Sequence, residues 1–473
     1  MITKPIKVVI INPFRERSDH VAPDLGLGYL AAWVRKTGHE VTLIDPNNSR
    51  ISREHLHEKL SYLQPDVLGI KVFTQDLPSA RETFKFARSH LPNAILVAGG
   101  AHPSAVPEQV LRTLTEIDYA FRGEAEVGFS RFLEFLQGGC SEEDVPGLIW
   151  RIGSDIRVNP QEFIKNLDEL GIPAWDLIDP RDYRDTAETF RKAFPAAPIS
   201  ITRGCPFPCT YCAGHIISGK PIRSRSTKHV LDEMQYLITE FGVREFNIVD
   251  DNFTHNRALV ESFCLGIIDR GWEIHWSGST GIRLDSLDEE ILILMRRSGC
   301  YSFYVGIESG SQRILDLMKK QLTLDKIREG VRMISRSGID VSGFFILGFP
   351  GETRQDILAT ISFAVELPLL KAHFFHFTAL PATEAFNTLV EEGKLTGYDD
   401  SMFMDVSYVP EGLTSQDLKS LLRKAYIDFY LRPSVVVRLL IRLGSLHQLQ
   451  LIFKKMFNYF VSVKPSTGKD RTT

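Results

Sequence analysis

The stretch Ile201-Thr-Arg-Gly-Cys205-Pro-Phe-Pro-Cys209-Thr-Tyr-Cys212 crowds three cysteines into one short loop, and its reading decides the rest of the chain. Three thiolates in a single loop can hold a metal centre, but they do not complete one that takes four ligands, as four-iron clusters do. One iron is then left open to a ligand from outside the chain. A closed Cys3His zinc site is the competing reading, because His215 follows Cys212 at a spacing that zinc accepts. The segments on either side of the loop favour the cluster.

Upstream, apolar runs alternate with helical patterns from residue 7 to about 136. Strands are predicted at Lys7–Asn12, Glu40–Asp45, Val67–Val72, Ile95–Ala98 and Tyr119–Arg122. A helical stripe of Leu27, Leu30, Ala31 and Val34 ends at Gly38. The pattern predicts an α/β domain with a doubly wound parallel sheet, whose ligands sit at the carboxyl ends of the strands. Those ends read Asn12-Pro13, Asp45-Pro46-Asn47, Phe73-Thr74-Gln75, Gly99-Gly100-Ala101-His102 and Gly123-Glu124-Ala125-Glu126. Any one of them is also ordinary turn and cap chemistry. Residues 137–197, with Gly138-Gly139, Pro146-Gly147 and a hairpin signal around Gly153, are read as a linker.

Downstream of Cys212 the alternation resumes, and each strand ends in a marked polar motif. The first of these is Asp250-Asp251-Asn252, where the carboxylates also suit a cap or turn. Next comes Gly281-Ile-Arg283-Leu-Asp285, where a surface ion pair is the plain reading of Arg283. Then follow Gly306-Ile-Glu308-Ser309-Gly310, Gly343-Phe-Phe-Ile346-Leu347-Gly348-Phe-Pro350-Gly351-Glu352, and His373-Phe-Phe-His376. An acidic residue such as Glu308 at the end of an apolar strand is costly unless it is paired.

Taken together, the cysteine spacing, the aromatic Tyr211 before the last cysteine and the series of strand ends resemble the radical S-adenosylmethionine (radical SAM) enzymes. The upstream domain resembles the cobalamin-binding domain that precedes the catalytic barrel in part of that superfamily, the group that includes the anaerobic magnesium-protoporphyrin ester cyclase and hopanoid-processing enzymes. The resemblance implies a Rossmann-like cobalamin-binding domain over 1–136, a partial (β/α)6 barrel over 198–393, a C-terminal helical extension over 394–463 and a disordered tail over 464–473. It implies that Cys205, Cys209 and Cys212 ligate a 4Fe-4S cluster whose open iron binds S-adenosylmethionine. Asp250 or Asp251 would then meet the methionyl amino group and Arg283 the carboxylate. Glu308 and Ser309 would meet the ribose or sulfonium end, while Tyr211 and the backbone of Ile346 and Leu347 would lie near adenine. In the front domain Asp45, Thr74, Gly99, Gly100, His102, Gly123 and Glu124 are the expected cobalamin contacts. The stretch Asp45-Pro-Asn-Asn-Ser-Arg50 lacks the histidine that ligates cobalt from below in relatives of the methionine-synthase kind.

The implied activity is reductive cleavage of S-adenosylmethionine and hydrogen abstraction from a substrate carbon, ending in cobalamin-dependent C-methylation. Radical cyclisation or rearrangement is the alternative within the class, and a zinc-stabilised or cobalamin-sensing protein without catalysis is the alternative outside it. The expected partners are a small-molecule substrate, lipid-like or polycyclic, and an electron donor such as flavodoxin or ferredoxin.

Composition agrees with a globular chain of 473 residues, 43% hydrophobic, at a formal net charge of −4 that suggests no nucleic acid. The charge is uneven, since residues 423–473 carry ten basic residues against Asp428 and Asp470. That tail, with Arg438 and Arg442 interrupting its most apolar part, is read either as a helix at a membrane interface or as a cap on the barrel. Cys140, Cys264 and Cys300 are scattered in apolar surroundings, which argues for a reducing compartment and a cytoplasmic protein, at the inner membrane face if the tail docks there.

Overall fold

In Lys7–Ile11 (β1) all four apolar residues are buried, the continuous pattern of a parallel strand covered on both faces. In this computed structural model, which describes residues 4–14, 22–49, 51–183, 191–398 and 406–442, β1 lies inside a parallel sheet. Its companions are Glu40–Ile44 (β2), Val67–Lys71 (β3), Ile95–Gly99 (β4) and Tyr119–Phe121 (β5), in the order β2-β1-β3-β4-β5. Helices Arg53–Leu63 and Leu77–His90 bury Leu56, Leu60 and Phe84 on one face, while Leu25–Lys36 and Glu126–Leu136 bury Ala31, Val34 and Phe132 on the other. This is the doubly wound sheet expected from the sequence, and its strand order places the topological switch point between β1 and β3.

The stretch read as a linker contributes more than a connection. Leu148–Ile152 (β6) and Asp155–Val158 (β7) form a hairpin through Gly153 that adds antiparallel to the edge of β5, so the front sheet has seven strands. An open parallel edge at β5 would expose unpaired backbone groups, and the hairpin covers it.

The second sheet begins with Ala196–Ile199 (β8). A short antiparallel ribbon, Thr202–Arg203 (β9) with Arg223–Ser224 (β10), then brackets the cysteine loop. Glu245–Ile248 (β11), His275–Ile282 (β12), Cys300–Glu308 (β13), Asp340–Leu347 (β14) and Lys371–His376 (β15) complete a parallel sheet in the order β15-β14-β13-β12-β11-β8. Phe303, Val305 and Ile307 of β13 belong to the helix-side core, while Ser302, Tyr304 and Gly306 alternate to the other face. This is the partial (β/α)6 barrel.

β15 is an edge strand, and side chains of the helix Ser415–Tyr430 take the place of a further strand beside it. The Tyr426 hydroxyl accepts the Phe374 N–H at 3.3 Å and donates to the Phe374 carbonyl at 3.2 Å. One turn later, Tyr430 accepts the N–H of Ala372 at 3.3 Å and donates to its carbonyl at 3.0 Å. Arg432 and Arg438 donate to the carbonyls of Val365, Pro368 and Leu369. Over this helix the C-terminal extension is therefore a cap on the barrel. Helix Pro433–Arg442 follows with Val437, Leu440 and Ile441 exposed. The rest of the extension and the 464–473 tail lie outside the described residues, among which no helix is long and apolar enough to cross a membrane.

His102, in the short helix Ala101–Ala105, is fully buried, with Nδ1 3.1 Å from Thr74 Oγ1 and its ring edge-on to Tyr398. Burial, and then the charge of Arg81, pulls its pKa from 6.5 down to about 4. Between those values the native state binds fewer protons than the unfolded chain. The resulting stability is fully present above about pH 6.5 and is lost as the pH falls through about 4.

Two predictions follow from these contacts. Tyr426→Phe and Tyr430→Phe should each lower stability by about 1–2 kcal/mol in urea titration, and unchanged midpoints in both variants would remove the edge-capping role. His102→Gln should flatten the acid side of the stability–pH profile, and a slope equal to that of the wild type would contradict the assignment.

Candidate active site

The cysteine loop is fastened where it leaves β8. Asp250, just after β11, accepts the backbone N–H groups of Ile201 at 2.8 Å and Thr202 at 2.7 Å, and the Thr202 hydroxyl at 2.9 Å. It is buried, which pushes its carboxyl up to about 7, and both of its oxygens are engaged. The structure thus separates two carboxylates that the sequence presents as equals. Asp250 is a latch, whereas Asp251 lies beside the thiols. A Cβ on Gly214 would stand 3.5 Å from Cys212 Sγ and 3.7 Å from Asp251 Oδ1.

The three cysteines are free thiols. Burial raises the pKa of Cys205 and pushes that of Cys212 up to about 11, and the neighbouring thiols and Asp251 add to the effect. Three thiols from one loop suit a cluster that takes its remaining ligand from outside the chain.

The seat under the loop is the turn Leu317–Gln321, which sequence reasoning missed. Thr210 donates its N–H to the Met318 carbonyl at 3.0 Å and its hydroxyl to the Leu317 carbonyl at 3.4 Å. Arg283 donates to the carbonyls of Lys320 at 3.3 Å and Gln321 at 3.4 Å, and grips Asp285 through Nε and Nη2 at 2.9 Å each. Its guanidinium also lies 3.5 Å from the centre of the Phe207 ring. Arg283, expected opposite the methionyl carboxylate, is engaged by Asp285 and braces the loop.

The Gly306-Ile-Glu-Ser-Gly310 run has a local explanation for every member. Glu308 adopts φ 67, rare for a residue with a Cβ, and its carboxylate meets Lys320 Nζ at 2.9 Å. Gly306 leaves room for that pair, since a Cβ there would stand 2.3 Å from Glu308 Oε1 and 2.9 Å from Lys320 Nζ. Ile307 points into the core. Ser309 is fully buried, with Oγ 3.0 Å from Thr360 Oγ1 and accepting the Ser311 N–H at 3.1 Å. Gly310 permits contact with the helix Arg354–Glu366, where a Cβ would stand 2.7 Å from Thr360 Cα. Ser309, expected at the ribose, is held by Thr360 and Ser311. Lys320 also donates to the Tyr211 hydroxyl at 3.2 Å, which ties the cysteine loop to the end of β13. Tyr211 packs near Ile346, whereas the Leu347 side chain is in the helix-side core and its carbonyl accepts the Phe377 N–H at 2.8 Å.

Facing this assembly are the carboxyl ends of the front sheet. One cleft is lined by Gly69, Gly99, Gly100 and Gly123 from the front domain and by Thr202, Arg203, Ser218 and Asp251 from the barrel. No atom lies within 4 Å of where a Cβ on Gly99 would stand. The backbone there is bare, so a large flat group can approach it closely. Histidine is absent from the residues lining the cleft. His102 and Thr74, expected as cobalamin contacts, are buried within hydrogen-bond distance of each other and are not among the residues lining the cleft. Asp45 is taken up by Asn12 at 3.1 Å and Tyr183 at 3.3 Å.

Charge joins the two domains beside the cleft. Glu124, expected as a cofactor contact, lines the cleft and receives a two-pronged bond from Arg223 at 2.6 and 2.8 Å, with Arg203 at 3.5 Å. Arg203 also pairs with Glu126 at 2.8 Å. Behind them Arg225 pairs with Glu233 at 2.5 Å, both essentially without solvent, and Trp175 Nε1 donates to Glu233 at 3.0 Å. Asn252 is a further group missed from the sequence, since it is buried with neither its amide nor its carbonyl paired.

Comparison with known proteins accords with this geometry. Residues 199–364 match the radical SAM superfamily and residues 13–133 the B12 binding domain. An uncharacterized methyltransferase of Pyrococcus horikoshii is 31% identical over 92% of this chain and 95% of its own. Cytidylyl-2-hydroxyethylphosphonate methyltransferase of Streptomyces wedmorensis is 29% identical over 82% of each chain. In fold, the chain is similar to OxsB, a cobalamin-dependent S-adenosylmethionine radical enzyme solved with aqua-cobalamin and S-adenosylmethionine bound, with a TM-score of 0.76 at 17% identity over 96% of this chain and 71% of that one. With the three-cysteine loop set at the strand ends of a partial barrel and a doubly wound domain facing it, the chain belongs to the radical SAM superfamily, among the enzymes that carry a B12-binding domain.

Proposed function

We propose that this enzyme methylates a carbon of a small-molecule substrate in a cobalamin-dependent radical SAM reaction. The observation that carries this reading is a cleft in which the ends of β3 and β4, with Gly99 and Gly100, face Asp251 and the ribbon that brackets the cysteine loop. When bound, the 4Fe-4S cluster supplies the electron that cleaves S-adenosylmethionine to a 5'-deoxyadenosyl radical, and cobalamin supplies methyl transfer.

Cys205, Cys209 and Cys212 hold the cluster. Asp251, beside the thiols, accepts the methionyl ammonium, and the paired Asp250 keeps the loop at the distance this needs. Asn252 offers a buried amide to the same ligand. Glu308 and Tyr211 border the nucleoside, with the backbone of Ile346 beyond them. Gly99 presents bare backbone to the corrin, with Gly100 and Gly123 beside it in the cleft lining. Among the described residues lining the cleft there is no histidine that would hold cobalt. The aromatic side chains Tyr304, Phe344, His373 and Phe375, in mutual contact on one face of β13–β15, favour a flat or lipid-like substrate. A flavodoxin or ferredoxin in the cytoplasm is the electron donor, and the exposed apolar residues of helix Pro433–Arg442 suit contact with the inner membrane face.

The test is anaerobic reconstitution with iron, sulfide and hydroxocobalamin, followed by metal analysis. About four irons and one cobalt per chain are expected, with Cys209→Ala losing the iron and all 5'-deoxyadenosine formation while keeping cobalt. Product mass, with the label supplied on the methyl group of S-adenosylmethionine, then reads the reaction. A labelled methyl group on carbon supports methylation, and an unlabelled rearranged product overturns it. One zinc in place of iron would overturn the whole reading.

A further inference from the structure

The ion pair between Glu308 and Lys320 is unusual in how much of the surrounding structure it requires. Its two side chains are 9% and 11% exposed, so both charges are largely desolvated. It uses a left-handed backbone at Glu308 and the missing side chain of Gly306. Buried ion pairs are weak stabilisers compared with apolar residues of the same size, and strained backbone tends to collect at functional sites. Stability therefore does not account for the pair.

Its position offers an account. Lys320 Nζ reaches the hydroxyl of Tyr211, the residue between Cys209 and Cys212. Burial works against the Lys320 charge, and the Glu308 carboxylate 2.9 Å away holds it. The nearby cation Arg283 is already neutralised by Asp285. We propose that Lys320 and Glu308 form a charge dipole that sets the reduction potential of the cluster held by the cysteine loop, with the ammonium stabilising the reduced form and the carboxylate opposing it. This rests on the reading that the three cysteines ligate a 4Fe-4S cluster. One electron enters from a low-potential donor of the flavodoxin or ferredoxin class, and no proton moves. Cluster potentials respond to nearby net charge, hydrogen bonds and solvent exposure, and here the charge is fixed against Tyr211 of the loop that carries the ligands.

The test is a spectroelectrochemical titration of the anaerobically reconstituted full chain without S-adenosylmethionine, alongside iron and sulfide analysis. Lys320→Met should make the cluster at least tenfold harder to reduce, about 59 mV for a one-electron couple. Lys320→Arg, which keeps the charge, should stay near the wild type. Glu308→Gln should shift the potential the opposite way, and the double variant Lys320→Met/Glu308→Gln should return toward the starting value. Potentials unchanged in variants that retain four irons, or single-variant shifts of the same sign, would overturn the proposal. If Lys320→Met does not retain its iron, the upward shift in Glu308→Gln decides the matter alone. A wild-type chain that takes up no iron would refute the cluster reading itself, a result distinct from an unmoved potential.

Discussion

The buried charge cluster at the junction of the two sheets is the constraint on which the rest of the site depends. Arg203 and Arg223 sit on the ribbon that brackets the cysteine loop, and their partners are Glu124 on the loop after β5 and Glu126 at the start of the helix that follows. The cysteine loop and the front domain thereby share one set of ion pairs, and the cleft between them has a defined width. Losing one member would leave a desolvated charge without its partner, a defect worth about 3–5 kcal/mol. Arg225 and Glu233 repeat the device one layer deeper, joined to the linker through Trp175 and to the front helix through the Tyr29 hydroxyl at 3.2 Å.

A second principle is the division of labour among polar residues at the strand ends. Asp250, Arg283, Ser309 and Glu124 are all engaged by protein partners that hold loops in place, Asp250 and Glu124 while lining the cleft beside Asp251 and the glycines. A strand end in a parallel sheet leaves backbone donors and acceptors without ladder partners, and polar side chains there serve that need first. Ligand chemistry is left to the residues next to them. A motif read one residue at a time does not distinguish the two roles, because both need the same residue types in the same place.

Much of the architecture was legible from the chain. The front strands were placed to within a residue or two, because continuous Val and Ile runs bounded by Gly, Pro and Asp have few other solutions in an α/β protein. The barrel strands were equally plain. Other features were not legible. The β6–β7 hairpin looked like a connection because a short antiparallel pair carries little periodicity of its own. The Leu317–Gln321 seat, Lys320 and Asn252 carry no local signal at all. Their importance comes from contacts with residues distant in sequence, such as Thr210 and Tyr211.

The sequence by itself determined the three-cysteine loop, the order of the two α/β domains and the chemical class that this order implies, since metal-ligand spacing and hydrophobic period are local properties. Only the tertiary structure decided which carboxylate of Asp250-Asp251 lies beside the thiols, that the fork of Arg283 is closed by Asp285, that His102 lies outside the cleft, and that Glu308 is paired with Lys320. The reason is physical. A side chain's role is set by what neutralises its charge and fills its hydrogen bonds, and in this molecule those partners come from strands and loops far apart along the chain.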